Sequence, residues 1–350
     1  MNRIMIYIKI CCVFIFIHSS YGMCTIIGAG THFQGYRGES SIYLEKIKDM
    51  GFVSFREDYS WSNVERTKGI FSVSDNIKKT DAAFLNAQSN GLSPILILDY
   101  GNKLYNNGDY PRNQESIDDF VRYASWVASR FKGKVKYYEI WNEWTIGTGM
   151  TRYRDNIPSA EVYFNLVKAT SKAIKSIDPN TIILAGGFNP LEQRAKYLNI
   201  TDVVWFEQLL KLGILDYADG ISIHTYSYLN GRRDLRTTKG NLDFIDEFYA
   251  DSQKIAGKDF PVYITEIGVT NYTGPGGMSQ QESADYIKNY IEDAKSRSYI
   301  KGVWIYDLID DGKDKSKRDY NFGLLNNDLS PKLVAPVITE LLNKDNHKSW

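Results

Sequence analysis

The chain has 350 residues, 43% hydrophobic and 24% charged, with a formal net charge of +0. That length suffices for one large core, and the balanced charge gives no field to hold nucleic acid or an anionic membrane surface, so polyanion binding is excluded as a first reading. Aromatic content is high at 14%, with 25 Tyr and 7 Trp, and flat rings with polar edges suit the mixed faces of sugars as well as ordinary cores.

The N-terminus reads as an export signal. Arg3 and Lys9 precede an apolar run from Ile10 to Ile17, and Ser20-Tyr21-Gly22 supplies small residues before a cleavage point. The apolar run is shorter than the roughly 20 residues a bilayer core needs. Residues 1–22 are therefore expected to be a signal peptide, with a mature chain from Met23, exported to the periplasm or secreted, and with no stable membrane insertion. Cys11 and Cys12 fall within that signal, which leaves Cys24 alone, so no internal disulfide forms. Lipidation of Cys24 stays a minor alternative, because Tyr21-Gly22-Met23 is a poor lipobox. His18, His32, His224 and His347 are scattered without zinc-site spacing, so neither a metal catalyst nor another cofactor is expected.

From Thr25 onward short apolar runs alternate with stretches of helical period. Strands are predicted at Thr25 to Phe33, Phe52 to Glu57, Pro94 to Tyr100, Val135 to Glu143, Thr181 to Gly187, Gly220 to Thr225, Pro261 to Glu266 and Gly302 to Asp307. Between them, Ile117, Phe120, Val121, Ala124, Val127, Ala128 and Phe131 form one apolar stripe, and Val162, Leu166, Val167, Thr170, Ala173, Ile174 and Ile177 form another. Ser279 with Glu282 makes a capping box, Gly51, Gly91 and Gly213 stand at helix ends, and Pro331 opens a last helix using Val334, Val337, Ile338 and Leu341. The fold class read from this order is α/β, a (β/α)8 TIM barrel forming one domain over residues 23–350. Long irregular segments at Gly101 to Arg112, Gly147 to Pro158, Tyr226 to Gly240 and Asp310 to Asn321 follow strands, where a barrel builds its active-site face.

Two carboxylates arrive at that rim. Glu143 ends Tyr138-Glu139-Ile140-Trp141-Asn142-Glu143, and Glu266 ends Val262-Tyr263-Ile264-Thr265-Glu266. Glycoside hydrolysis needs such a pair, one group to protonate the leaving oxygen and one to attack or stabilise the oxocarbenium-like centre. With these motifs the chain resembles the clan of retaining glycosidases with a (β/α)8 fold, marked by Asn-Glu after strand four and Glu after strand seven. Within the clan it is most similar to the branch of family 39 β-xylosidases and related bacterial exopolysaccharide glycosidases. Gly51-Phe52-Val53-Ser54-Phe55-Arg56 with Trp61, His224-Thr225-Tyr226, Trp304-Ile305-Tyr306-Asp307 and Asn321-Phe322-Gly323-Leu324 carry that likeness. Trp144 stands where the clan usually has proline after the acid/base, which puts the neighbouring subsite in doubt.

The resemblance implies roles. Glu143 would be the general acid and then base, Glu266 the nucleophile, and Asn142 a partner of the sugar 2-hydroxyl. Arg56 and Tyr226 would flank Glu266, His224 would line the same subsite, Trp304 would be an apolar floor under the sugar, and His32 a further ligand contact. Each has a structural rival: Arg56 as an ion-pair partner of Glu57 or Asp58, His224 as a core histidine, Trp304 as barrel packing. Glu139 reads as a buried support, and Asp307, Asp310, Asp311 and Asp314 cluster after strand eight either as a site for a cation or a basic sugar or, in the favoured reading, as a hydrated acidic loop interleaved with Lys313, Lys315, Lys317 and Arg318.

The expected reaction is double displacement with retention, with the carboxyl groups roughly 5 to 5.5 Å apart and the Glu143 pKa raised. The expected partner is a polysaccharide or oligosaccharide, cleaved in endo fashion from a bacterial exopolysaccharide or a β-linked glycan. An exo-acting β-xylosidase-like enzyme, a transglycosidase and a non-catalytic glycan-binding barrel are the alternatives.

Overall fold

The computed structural model describes residues 25–150, 156–192 and 199–348. The expected signal peptide and Cys24 lie outside the described residues. Eight strands close into a barrel in chain order, every neighbouring pair parallel. They are β1 (Ile26–Gly30), β2 (Ser54–Asp58), β3 (Ile95–Leu98), β4 (Tyr137–Ile140), β5 (Ile182–Phe188), β6 (Gly220–His224), β7 (Val262–Ile267) and β8 (Ile300–Ile305). The (β/α)8 barrel read from the sequence is thus the observed fold, with strand ends shifted by a few residues. The largest shifts are at the ends of β1 and β4, which stop at Gly30 and Ile140, each three residues short of the expected Phe33 and Glu143.

Helices cover the barrel. They are α1 (Ser40–Asp49), the short α2 (Trp61–Val64), α3 (Lys78–Ala87), α4 (Gln114–Arg130), α5 (Ala160–Ile177), α6 (Asp202–Leu212), α7 (Thr238–Ala256), α8 (Gln280–Lys295) and α9 (Val334–Lys348). The α4 stripe does what its period dictates, since Ile117, Phe120, Ala124, Val127, Ala128 and Phe131 are all buried. Ser279 and Glu282 exchange both bonds of the capping box at α8, and Gly213 closes α6 in the left-handed conformation. Among the described residues no helix is long and apolar enough to cross a membrane.

Alternation along the strands divides the core. Phe55, Leu96, Leu98, Tyr138, Ile140, Ile183 and Ala185 point outward into the layer beneath the helices. Ile95, Tyr137, Leu184, Tyr263 and Trp304 form a separate cluster inside the barrel. Space there is tight: a Cβ on Gly28 would sit 2.3 Å from the Trp304 indole nitrogen, so glycine is what lets that ring fill the interior. One position up the same strands the inward residues become Arg56, Glu139, Ser222, His224 and Thr265, all buried. The barrel therefore changes from an apolar plug to a polar layer toward its C-terminal mouth.

Candidate active site

Arg56, inward on β2, organises the polar layer. Its Nε donates to Glu139 Oε2 at 2.6 Å, its Nη1 to Glu266 Oε1 at 2.6 Å and its Nη2 to Asn142 Oδ1 at 2.9 Å. Burial works against the guanidinium charge, but Glu139 and Glu266 hold it protonated. The rival reading of Arg56 as a partner of Glu57 or Asp58 is not what the geometry gives. Glu139 is fully buried and also accepts the hydroxyls of Ser222 and Thr265, so it is the buried support the sequence suggested.

Glu266 reaches the mouth because β7 is irregular. Thr265 already points inward, so strict alternation would turn Glu266 out. Ile264 pairs with Val303 and Ile267 with Ile305, three residues of β7 against two of β8, and the extra residue rotates Glu266 back toward the mouth. There Tyr226 Oη donates to Glu266 Oε2 at 2.8 Å.

Glu143 is delivered by a different distortion. After β4 the chain takes φ of 67° at Trp141 and 48° at Glu143, a left-handed region that non-glycine residues seldom occupy. Trp141 is locked outside by Tyr110, Phe120 and Trp144, whose rings lie 5.1 to 5.8 Å away. Gly187 allows the turn: it has φ of +61°, and a Cβ there would stand 3.1 Å from the Glu143 backbone nitrogen. Asn142, between the two, donates from Nδ2 to Tyr100 Oη at 2.9 Å.

His224, fully buried at the end of β6, joins the two acids. Its Nδ1 is 3.0 Å from Glu143 Oε1 and 3.7 Å from Glu266 Oε2. One carboxylate oxygen from each glutamate and a His224 ring nitrogen all lie within 4.8 Å of one another. Burial lowers the His224 pKa, but the charges of Glu266 and Glu143 outweigh it and the net shift is upward. Burial raises the Glu143 pKa, yet the hydrogen bond and charge of His224 and the Thr148 hydroxyl bring it below the usual value. The raised Glu143 pKa expected from sequence is therefore not found: beside His224 the shift is downward.

The pair opens into a cleft of about 1120 Å³. Its lining includes Thr148 after β4, Asn189 and Leu191 after β5, Tyr226 and Tyr228 after β6, and Tyr306 and Phe322 after β8. Two expectations need correction. Trp304 is no sugar floor: it is fully buried in the lower plug, with its Nε1 donating to Ser54 Oγ at 2.9 Å. The ring at the mouth is Tyr306, one residue past the end of β8 and two beyond Trp304, 6.4 Å from Tyr226 and 5.6 Å from Phe322. His32 is not among the cleft-lining residues; it is held by Asp311 and Asp307 behind Tyr306. The acidic loop also differs from a hydrated one, because Asp307 and Asp310 are buried and Lys332 Nζ donates to Asp310 Oδ1 at 2.6 Å. The segment after β5 was absent from the sequence reading, although Asn189, which donates to the Tyr226 carbonyl, and Leu191 both line the cleft.

Several solved structures share this architecture. A family 39 glycoside hydrolase from the gut symbiont Bacteroides cellulosilyticus WH2 superposes with a TM-score of 0.70 at 22% identity over 92% of this chain; the chain spans 65% of that protein's length. A GH5_18 protein from Streptomyces cattleya, solved with GlcNAc, gives a TM-score of 0.70 at 14% identity over 92% of this chain and 80% of that one. Xylanase 10B from Thermotoga maritima gives 0.62 at 16% identity over 93% of this chain and 97% of that one. At these identities the likeness is one of fold. No curated protein matches the sequence. The model of cellulase, glycosyl hydrolase family 5, matches residues 20–305, which is most of the chain. The chain therefore belongs to glycosyl hydrolase family 5, within the (β/α)8 glycosidase clan its motifs resemble.

Proposed function

We propose that the protein is a retaining O-glycosidase in which Glu266 attacks the anomeric carbon and Glu143 is the acid and then the base. The observation that carries this is the approach of the two carboxylates to within 4.8 Å around His224, with Arg56 and Tyr226 on Glu266 alone. A spacing of that order suits direct attack without an intervening water. Bonding to a guanidinium and a phenol orients Glu266, as a nucleophile needs. Glu143 receives its proton from His224 across their 3.0 Å contact once a bound sugar has displaced water and made the ionised carboxylate more costly. Glu143 then gives that proton to the leaving oxygen as the Glu266 ester forms. In the second half, Glu143 takes a proton from the water that releases the sugar. Asn142, fixed by Arg56 and Tyr100, holds the 2-hydroxyl.

The substrate proposed is a polysaccharide, cleaved within the chain. The long cleft built from loops after β4, β5, β6 and β8 supports a polymer rather than a single sugar. A bacterial exopolysaccharide or other β-linked glycan, met after export through the signal read in residues 1–22, fits that reading. In the test, mature protein is incubated with xylan, mannan, β-glucan and bacterial exopolysaccharides, and products are sized and their anomeric configuration followed by NMR. Retention with oligomeric products is expected; inversion ends the mechanism, and release of single sugars alone ends the endo assignment. Glu266→Gln should abolish turnover. Glu143→Ala should keep activity on activated aryl glycosides and gain rate with azide, and full activity of either variant on the natural glycan refutes the roles assigned.

A further inference from the structure

A second cluster of ionisable groups lies at the seam of β1 and β8, behind Tyr306. His32, two residues past β1, brings Nδ1 to 2.9 Å from Asp311 Oδ1 and 3.6 Å from Asp307 Oδ2. One donor atom from each of the three lies within 4.8 Å of the others. Asp307 is buried, and its Oδ1 is taken by the Ile309 N–H at 2.6 Å, which leaves Oδ2 on the His32 side. Glu57 is also buried and accepts the Phe33 N–H at 2.8 Å. Among the described residues, no Lys or Arg hydrogen-bonds to His32, Asp307 or Asp311.

One imidazole thus faces two carboxylates, those of Asp307 and Asp311.

We propose that His32 Nδ1, Asp307 Oδ2 and Asp311 Oδ1 bind one divalent cation of the zinc or manganese type. An imidazole with two carboxylates suits those metals better than calcium, which takes oxygen ligands alone. Ligand atoms about 2.0 to 2.2 Å from an ion lie roughly 3 to 4 Å apart, so the present separations need only small side-chain movements. The ion replaces the proton on His32. The other His–carboxylate group, Glu143 with His224 and Glu266, is a poorer host because the Arg56 guanidinium already sits 2.6 Å from Glu266. The ion's role is positional: it ties the β1 and β8 loops together, and the His32 ring stands edge-on to Tyr306 at 5.7 Å. This site does not depend on the glycosidase reading.

Mature protein dialysed against EDTA is titrated with ZnCl2 and with MnCl2 by calorimetry, and its melting is followed in parallel. Saturable binding of about one equivalent is expected, with Tm raised by at least about 3 °C at saturating metal. Affinity should fall at least tenfold in Asp311→Asn and in His32→Gln and stay unchanged in Glu143→Gln. Asp311 is partly exposed, so its variant keeps the test open if His32→Gln fails to fold. Absence of saturable binding to the wild type overturns the proposal, as does affinity unaffected by Asp311→Asn. Affinity lost in Glu143→Gln also overturns it, by locating the ion at the other cluster.

Discussion

Inside one barrel, the same strands build two layers of opposite character. In the lower layer Ile95, Tyr137, Leu184, Tyr263 and Trp304 pack against one another with nothing to bind. One inward position higher, Arg56, Glu139, Ser222, His224 and Thr265 are equally buried but spend their contacts on hydrogen bonds and ion pairs. Burial alone thus does not separate scaffold from site. What separates them is whether the buried groups are apolar or are charged and satisfied only by each other. The lower layer contributes stability through contact and area, whereas the upper one holds charge in a geometry that water would otherwise dissolve.

Substitutions can break or sharpen that contrast. The largest effect is expected from Arg56→Met, which leaves Glu139 and Glu266 buried without their cation. Loss of one partner from a buried ion pair costs about 3 to 5 kcal/mol, so denaturant unfolding should show that loss together with collapse of kcat. A wild-type midpoint would mean that the upper layer is not held by charge pairing. Trp304→Ala should cost about as much stability, about 3 to 5 kcal/mol by the same measurement, while kcat and KM of the folded protein change little. A large rise in KM with unchanged stability would return Trp304 to the sugar site.

Tyr306→Ala tests the other side of the contrast. It should shift stability by about 1 kcal/mol or less yet lower kcat/KM by roughly tenfold, measured on the same glycan. The smallest effect is a shift in pH dependence. The His224 pKa is raised in the folded protein, so its contribution to stability is full below the unfolded value near 6.5 and is lost as pH rises through the folded value. The proton shared with Glu143 leaves over the same range. The basic limb of kcat/KM should therefore lie above pH 6.5 in the wild type and move to lower pH in His224→Asn. A profile indifferent to that substitution would remove His224 from the proton path.

Much of this was legible in the sequence for identifiable reasons. Strand parity put Glu139 inside, and the apolar period of α4 put Phe120 and Val127 under the sheet, because both follow from repeat distance alone. Trp304 was misread because one indole fits a sugar floor or a packed plug equally well, and only its depth along β8 distinguishes them. Tyr306 carries a signal in the sequence, two residues beyond Trp304 at the strand's C-terminal end. The buried state of Asp307 and Asp310 had none, since their partners His32 and Lys332 come from opposite ends of the chain.

The sequence by itself determined the barrel, its order of elements and the residue types at the rim, because periodicity and turn chemistry act over a few neighbours. Only the tertiary structure decided that Glu266 faces the mouth, through an extra residue in β7, and that Glu143 turns inward from a left-handed backbone braced by Trp141 and Gly187. It also decided the opposite directions in which the Glu143 and His224 pKa values move. Those outcomes depend on the packing and charge of residues far apart in sequence, which enter the energy only once the barrel has closed.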